Sequence, residues 1–217
     1  MVNLDLFKKE IDFINNEHIR CIVYITLSNS PDCIRTIPAS SSGKYHPTYS
    51  LGDGGLARHI KATVGFAYAL IEASVLEGML KAENKDVEYG DWYEDIVYAS
   101  LILHDCCKAS DEDVKHRTLF DHPLIASELF IKNAKWYVQD EKENISPEDM
   151  AILKIAIPLI AKCISSHMGK YTTAPYARGI VLPKPDSTIE WFVHLCDLLS
   201  SRKYLDFNFE KYEEAVK

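Results

Sequence analysis

The sequence predicts an all-α protein, and three observations support this class. Apolar residues recur at helical spacing in most segments, for example at Phe7, Ile11 and Ile14 near the amino terminus. No segment alternates apolar and polar residues as a half-buried strand would. The composition of the 217 residues, 47% hydrophobic and 26% charged, is typical of a globular protein with one well-buried core. We therefore expect a single domain over residues 1–217.

The predicted helices follow one another with two long interruptions. Ser146, Pro147 and Asp149 mark one clear helix start, with a capping serine, a proline at the first helical position and an acid at the third. The interruptions, residues 28–55 and 165–187, are rich in Gly, Pro, Ser and Tyr, and loops of this length are usually functional or disordered. The predicted helices cover about residues 4–14, 19–27, 55–79, 92–108, 123 onward, 147–164, 188–204 and 207–216.

The net charge, the amino-terminal residues and the cysteines indicate which partners and which cellular compartment to expect. A formal net charge of -8 argues against a footprint for extended duplex nucleic acid, which needs clustered Lys and Arg. The amino terminus lacks the basic start and apolar core of a signal peptide, and Lys154, Pro158 and Lys162 interrupt the longest apolar stretch. Six cysteines without a C-x-x-C pair indicate reduced, mostly buried thiols. We expect a cytoplasmic protein that is not in a membrane, and the oligomeric state stays open.

The dipeptide His104-Asp105 is the first candidate for chemistry. By itself it is expected about 0.6 times in a chain of this composition. It follows the apolar segment 96–103, however, where an unpaired carboxylate would carry a large desolvation cost. A bound divalent cation removes that cost. A hydrogen-bonded core histidine beside a solvated aspartate explains the dipeptide equally well.

Two further residues favour the metal interpretation. His59 follows Gly54-Gly55 near the start of a predicted helix, and Asp197 is an acid within the apolar segment 194–199. Three helices thus each direct an imidazole or a carboxylate inward, as metal sites of helical bundles do. Mixed nitrogen and oxygen ligands suit Mn, Fe, Co, Ni or Zn better than Mg or Ca.

A longer ordered series carries a resemblance to a known family. It consists of Gly54-Gly55-Leu56 and His59, Leu103-His104-Asp105-x-x-Lys108, Asp121-His122-Pro123, Ser166-His167-Met168-Gly169, and Asp197. Over about residues 36–205 this series resembles the H…HD…H…H…D series of the HD-domain phosphohydrolases. The upstream residues Pro38-Ala39-Ser40 and Lys44-Tyr45-His46 are similar to those of small stand-alone HD proteins of bacteriophages and of HD-type 3′-to-5′ exoribonucleases. HD-x-x-K is expected only about 0.05 times by chance.

The resemblance implies a helical HD-domain bundle whose two long loops lie over a metal site with one or two divalent transition-metal ions. Its primary metal ligands would be His59, His104, Asp105 and Asp197, with Asp105 able to bridge two ions. His122 and His167 would bind a second ion, or would contact phosphate or donate a proton if the site is mononuclear. Lys108 would face the substrate phosphate from an exposed helix end. Catalysis would then depend on Asp105, Lys108, His122 and His167.

Other polar residues are candidates for substrate contacts, each with a simpler alternative. His46 is either a contact folded over the metals or a loop histidine in solvent. Lys170, Tyr171 and Arg178 either hold a nucleotide by stacking and phosphate pairing or are solvated loop residues. Tyr176 and Lys184 of the same loop share these alternatives. The remaining histidines are expected to be bystanders: His18 on the surface, His116, and His194 behind the ligands.

Two parts of the sequence depart from the family pattern: the residues Cys106-Cys107 and the loop 165–187. Because of these departures, the resemblance does not define the substrate. The departures do not affect the expected metal ligands. The leading expectation is a phosphohydrolase acting on a small nucleotide, such as a deoxynucleoside triphosphate or monophosphate. The alternatives are a 3′-to-5′ exonuclease or phosphodiesterase on short single strands, and a non-catalytic sensor that binds metal or nucleotide.

Overall fold

The computed structural model describes residues 5–40, 43–44, 46–112, 118–205 and 208–215. Within these ranges every regular element is a helix, so the predicted all-α class is confirmed. The predictions for Leu4, Tyr45 and His116 lie outside the described residues.

The helices are numbered along the chain. They are α1 Lys8–Ile11, α2 Glu17–Ser28, α3 Gly55–Glu72, α4 Val75–Glu83, α5 Asp91–Leu103, α6 His122–Asp140, α7 Pro147–Ser166, α8 Thr188–Ser200 and α9 Phe209–Ala215. Three short 3-10 helices lie at Asp5–Phe7, Asp32–Arg35 and Thr48–Ser50.

Several predicted helices differ from the observed ones, among them the helix predicted over 188–204, which ends at Ser200. The first predicted helix ends at Ile11. The next three amides still bond back to the preceding turn, and those of Asn15 and Asn16 then donate to the buried carboxylate of Asp95. The predicted helix over 55–79 is two helices, α3 and α4, bent by 70°. The predicted helix over 92–108 ends at Leu103, and turn residues follow.

Helix α5 forms the centre of the fold. Its residues 95–103 are all buried, so the helix has apolar neighbours on every side. It packs against α2, α3, α7 and α8. Because the helix lies in the core, the residues that follow its carboxyl end are delivered into the interior rather than to the surface.

Capping side chains fix the starts of the neighbouring helices. Ser146 accepts a hydrogen bond from the Asp149 amide at 3.0 Å, which confirms the predicted helix start, and α7 then continues through Pro158. Ser187 caps α8 by accepting from the Glu190 amide at 3.4 Å. The Ser166 hydroxyl donates to the Glu190 carboxylate at 2.8 Å, so the end of α7 is joined to the start of α8.

The first long loop is folded against α3 and α8. Within it, the Ala39 amide donates to the Ser50 carbonyl at 2.9 Å. Arg58 of α3 donates to the carbonyls of Tyr49 and Leu51, at 2.5 and 2.9 Å. The Tyr49 hydroxyl donates to the Ser200 carbonyl at the end of α8, at 2.8 Å. These bonds hold the loop, and with it His46, beside the ends of two helices.

By length and composition, no single helix among the described residues is suited to cross a membrane. The bent pair α3 and α4 passes that test only when the two helices are taken together.

Candidate metal centre

Six predicted ligands meet in the interior at the ends of five helices. They come from five positions in the fold: near the start of α3, just after α5 (two residues), at the start of α6, just after α7, and near the end of α8. The residues are His59, His104, Asp105, His122, His167 and Asp197. All except Asp197 are buried, and the side chain of Asp197 is 17% exposed.

Asp105 lies between two groups of imidazoles. Its Oδ1 atom is 2.9 Å from Nε2 of His122 and 3.7 Å from Nε2 of His167. Its Oδ2 atom is 3.4 Å from Nε2 of His104 and 3.6 Å from Nε2 of His59. One carboxylate therefore faces all four rings.

Asp197 completes the second group. Its Oδ1 atom lies 3.1 Å from Nε2 of His59 and 3.8 Å from Nε2 of His104, and these two Nε2 atoms are 3.4 Å apart. Two sets of side chains bring ligand atoms within 4.8 Å of one another, so each could hold a metal ion. They are His59, His104 and Asp197, and His104, Asp105 and His167.

The backbone determines which ring nitrogens face the centre. Nδ1 of His104, His122 and His167 donates to the carbonyl three residues earlier, at 2.7, 2.6 and 2.8 Å. These acceptors are the carbonyls of Leu101, Leu119 and Ile164. A carbonyl accepts only, so each Nδ1 carries a proton, and the Nε2 of each ring in its neutral form presents a lone pair. Such partners orient metal-binding histidines in general.

His59 is oriented through a hydroxyl instead. The Ser200 hydroxyl donates to the Asp197 carbonyl at 2.8 Å, which leaves its oxygen to accept from Nδ1 of His59 at 3.1 Å. Nε2 of His59 then also presents a lone pair to the centre. Helix α8 therefore supplies both a carboxylate and the group that orients an imidazole.

A cation fits the atoms that converge here. Four imidazole lone pairs and two carboxylates are all electron-rich, and buried groups of this kind need a cation or a proton between them. Among the described residues, Asp105 Oδ1 and Nε2 of His122 are buried without a hydrogen-bond partner. The buried His and Asp residues could therefore hold a metal ion.

In the protein without metal, burial and mutual contacts shift the pKa values of the candidate ligands. Burial lowers the pKa of His59, and it lowers the pKa of His167 to about 3. Burial also opposes ionisation of Asp105, but the charges of Lys108 and His104 outweigh it and hold the pKa of Asp105 well below its usual range. The pKa of Asp197 is likewise lowered, because contact with His59 outweighs burial. The pKa of His104 is raised, since the neighbouring Asp105 carboxylate outweighs burial.

The structure corrects the expected exposure of Lys108. Its side chain is only 13% exposed, and its ammonium donates a short hydrogen bond to Oδ2 of Asp105. The turn after α5 places the two residues on the same side, because the Lys108 amide bonds back to the Asp105 carbonyl at 3.0 Å. Lys108 is therefore part of the charged centre rather than a solvated helix end.

His46 lies at the mouth of the centre. Its ring centroid is 5.9 Å from that of His59, and its Nδ1 is buried without a hydrogen-bond partner among the described residues. Burial lowers the pKa of His46 to about 4, so the ring is neutral near pH 7. The placement favours a residue folded over the site rather than a loop histidine in solvent.

A cavity of about 650 Å³ opens from the centre. Asp105, Lys108, His167 and Asp197 line it beside His46. The cavity gives a ligand access to the carboxylates from one side.

The second long loop supplies only part of its predicted contacts to this cavity. Tyr171 lines it, and Lys170 places its ammonium 5.5 Å from the centroid of the Tyr171 ring. Tyr176 also lines it and is 70% exposed. Arg178 and Lys184 are exposed and do not contribute to the lining.

Arg202 and Phe120 are among the lining residues that the sequence analysis did not single out. Arg202, just after α8, donates to the Tyr171 hydroxyl at 3.5 Å. Phe120, just before α6, packs its ring edge against Tyr176 with centroids 5.9 Å apart. Their only signal was closeness in sequence to Asp197 and His122, which is too weak to single out either residue.

Two bystander predictions have different outcomes. His194 donates from Nδ1 to the His167 carbonyl at 2.7 Å, behind a predicted ligand, but it also lines the cavity and is therefore more than a bystander. Its ring fills the space beside Gly169, where an added Cβ would lie 2.3 Å from the imidazole. The surface prediction for His18 is wrong, since the residue is buried and its Nδ1 lies 2.9 Å from the Tyr137 hydroxyl.

The six cysteines are free thiols, and five of them are buried. Cys106 and Cys107 are 2% and 3% exposed, with sulfurs 3.8 Å apart. Both positions agree with the prediction that these thiols pack in the core.

Comparison of the chain with protein-family models, with curated proteins and with solved structures finds no match. The functional interpretation therefore depends on the residues and the geometry of this chain.

Proposed function

We propose that the protein is a metal-dependent phosphohydrolase of the HD type, which cleaves a phosphoester or phosphoanhydride bond of a small nucleotide. One observation carries the proposal. Asp105 lies between two groups of imidazoles at the floor of an open cavity, with the ammonium of Lys108 beside it. Binding and hydrolysis of an anionic ester both need such a set of groups.

The proposed ions are one or two divalent transition metals, since neutral imidazoles with few carboxylates favour Mn, Fe, Co, Ni or Zn. The chain would hold them with His59, His104, Asp105 and Asp197, and a second ion with His122 and His167. When bound, such ions lower the pKa of water and neutralise charge on a phosphoryl group.

The residues around the ions would bind and orient the substrate. Lys108 contributes a point charge that can move from Asp105 to a phosphate oxygen. His46 is neutral near pH 7 and has an unsatisfied ring nitrogen, so it can exchange a hydrogen bond with the substrate. Tyr171, Tyr176 and Phe120 supply aromatic surface on which a base can stack.

A small substrate suits the acidic chain and the cavity. A net charge of -8 disfavours a long nucleic-acid track, and about 650 Å³ is the size of pockets that hold small ligands. The free thiols suit the reducing cytoplasm.

The decisive test is release of phosphate, pyrophosphate or triphosphate from a panel of nucleotides, with Mn²⁺ or Co²⁺ present. We expect turnover by the wild type and by Asp140→Ala, which removes an exposed carboxylate at the end of α6. Asp105→Ala should lose turnover together with most of the bound metal, measured by elemental analysis.

Three other outcomes would contradict the proposed function. Cleavage of short single strands but not of free nucleotides would replace the proposal with an exonuclease. Nucleotide binding without turnover would indicate a sensor. Full metal content in Asp105→Ala would reject the metal centre.

A further inference from the structure

The cavity has a second cationic region away from the metal centre. It is formed by Arg202, Tyr171 and Lys170, which we call the rim cluster. Arg202 lies two residues after the end of α8, and Tyr171 and Lys170 belong to the loop after α7. Arg202 and Tyr171 line the cavity, and the exposed Lys170 lies beside Tyr171 outside the lining.

The guanidinium of Arg202 is half-buried without charge compensation. Its one described hydrogen bond goes to the neutral Tyr171 hydroxyl at 3.5 Å, and among the described residues no carboxylate lies within 4.0 Å of it. Lys170 places a second cation 5.5 Å from the centroid of the same tyrosine ring. In a chain of net charge -8, a guanidinium that lines a cavity and has no carboxylate within 4.0 Å among the described residues indicates a site for an anion.

Arg202 of the rim cluster lies close in the chain to the candidate metal ligand Asp197. Asp197 and Ser201 both line the cavity and lie four residues apart at the end of α8, which corresponds to about 6 Å along a helix. Arg202 is the next residue. Among the described residues Arg202 shares no hydrogen bond or ion pair with Asp105 or Lys108, so the cavity offers an anionic ligand two separate cations, Lys108 and Arg202.

We infer that the rim cluster recognises a second phosphate of the substrate, so that the site prefers a ligand with two or more linked phosphates. The inference builds on the proposed function, because it takes the first phosphate to lie at the metal centre. Arg202 is the main specificity-determining residue, since a guanidinium can donate two parallel hydrogen bonds to phosphate oxygens. The Tyr171 hydroxyl then donates to the same group. Hydrogen bonding to Arg202 lowers the pKa of Tyr171, which makes it a stronger donor.

The test measures binding rather than turnover, so that its outcome is separate from that of the proposed function. Inorganic pyrophosphate and orthophosphate, each with excess Mg²⁺, are titrated calorimetrically into the wild type and three variants. Arg202→Gln removes the guanidinium, Tyr171→Phe removes only the hydroxyl, and Lys203→Gln removes an exposed neighbouring charge as the matched control.

We expect the wild type to bind pyrophosphate more tightly than orthophosphate. Arg202→Gln should reduce this preference roughly tenfold, because a charge-assisted hydrogen bond is lost. Tyr171→Phe should reduce it less, and Lys203→Gln should leave it unchanged. An unchanged preference in Arg202→Gln, or no preference in the wild type, would overturn the inference even if the protein hydrolyses nucleotides.

A second pair of ligands separates two sources of the second phosphate. A nucleoside diphosphate has adjacent phosphates, whereas a 5′-phosphorylated dinucleotide has two phosphates separated by a nucleoside. If Arg202→Gln weakens binding of the nucleoside diphosphate more than binding of the dinucleotide, the second phosphate belongs to a free nucleotide, as we propose. A larger loss for the dinucleotide would assign the rim cluster to a strand and overturn the preference for linked phosphates.

Discussion

At the scale of single residues, Asp105 and Lys108 determine the electrostatics of the centre. The carboxylate is buried and the ammonium bonds directly to it, so the lysine compensates part of the charge that a metal would otherwise balance. The same ammonium is close enough to the cavity to meet a ligand. Lys108 thus has two partners available, and its removal should have two separate effects.

Lys108→Ala should lower kcat/KM on the true substrate by about two to three orders of magnitude, because a charge that meets developing negative charge is lost. Metal content should stay near that of the wild type. In the metal-free protein the variant should also be less stable, by about 1–3 kcal/mol, because the buried Asp105 carboxylate loses its partner. Steady-state kinetics and thermal melts with chelator test both effects.

Lys154→Ala, which removes an exposed lysine of α7, is the control for both measurements. If Lys108→Ala melted like the wild type without metal, the ammonium would not compensate Asp105 in solution.

The proposed second ion depends on His122 and His167. Both face Oδ1 of Asp105, whereas His59 and His104 face Oδ2, so the carboxylate can bridge two ions. We expect two ions per chain, and loss of about one when His122 or His167 is changed to Ala. Elemental analysis measures this loss, with His18→Gln as a control outside the centre. Constant metal content with reduced turnover would instead mean one ion and histidines that serve the phosphate.

At the scale of elements, helix ends position the site. The turn after α5, the turn after α7 and the start of α6 each present a histidine whose Nδ1 donates to a carbonyl three residues earlier. The start of α3 is positioned by contact with the first loop. There, a Cβ added to Gly55 would lie 2.3 Å from the Ser50 carbonyl oxygen.

Gly55→Ala should therefore destabilise the protein by about 1–3 kcal/mol, because the first loop must move away from α3. The matched change Gly78→Ala is within α4, where an added Cβ meets nothing within 4 Å. It should stabilise by about 0.5–1 kcal/mol through helix propensity. Thermal or urea unfolding compares the two variants. Equal effects would show that the loop does not pack on Gly55 as described.

At the scale of the whole molecule, the buried histidines make stability depend on pH when metal is absent. Burial lowers the pKa of His46 to about 4 and that of His167 to about 3, below the ordinary value of 6.5. The unfolded chain then binds more protons than the folded one below about pH 6.5, so stability falls on acidification. His59 acts in the same direction, whereas His104, with its raised pKa, acts in the opposite one.

The metal-free protein should therefore melt at lower temperature at pH 5 than at pH 7. His46→Gln should reduce the difference by the equivalent of about 1 kcal/mol, a figure discounted for partial exposure, or roughly 2–4 °C for a domain of this size. Melts with chelator at both pH values measure this. If His46→Gln left the difference between the two pH values unchanged, His46 would not be buried as a neutral ring.

The sequence by itself determined the all-α class, most helix starts and the set of candidate ligands. Helical periodicity and caps such as Ser146 are local, and His104-Asp105 stands out because apolar residues precede it. The helix ends were predicted less well. Helix α5 stops at Leu103 and the predicted long helix after Gly55 bends by 70°, in segments whose apolar pattern continues past the break.

Only the tertiary structure decided which groups meet. It brought Oδ1 and Oδ2 of Asp105 to different imidazoles, turned the Lys108 ammonium inward and buried His18 against Tyr137. It also placed Arg202, rather than Arg178, at the cavity. The physical reason is that these contacts join residues far apart in the chain or depend on the direction of a turn. Neither property is encoded in the spacing of residues along the sequence.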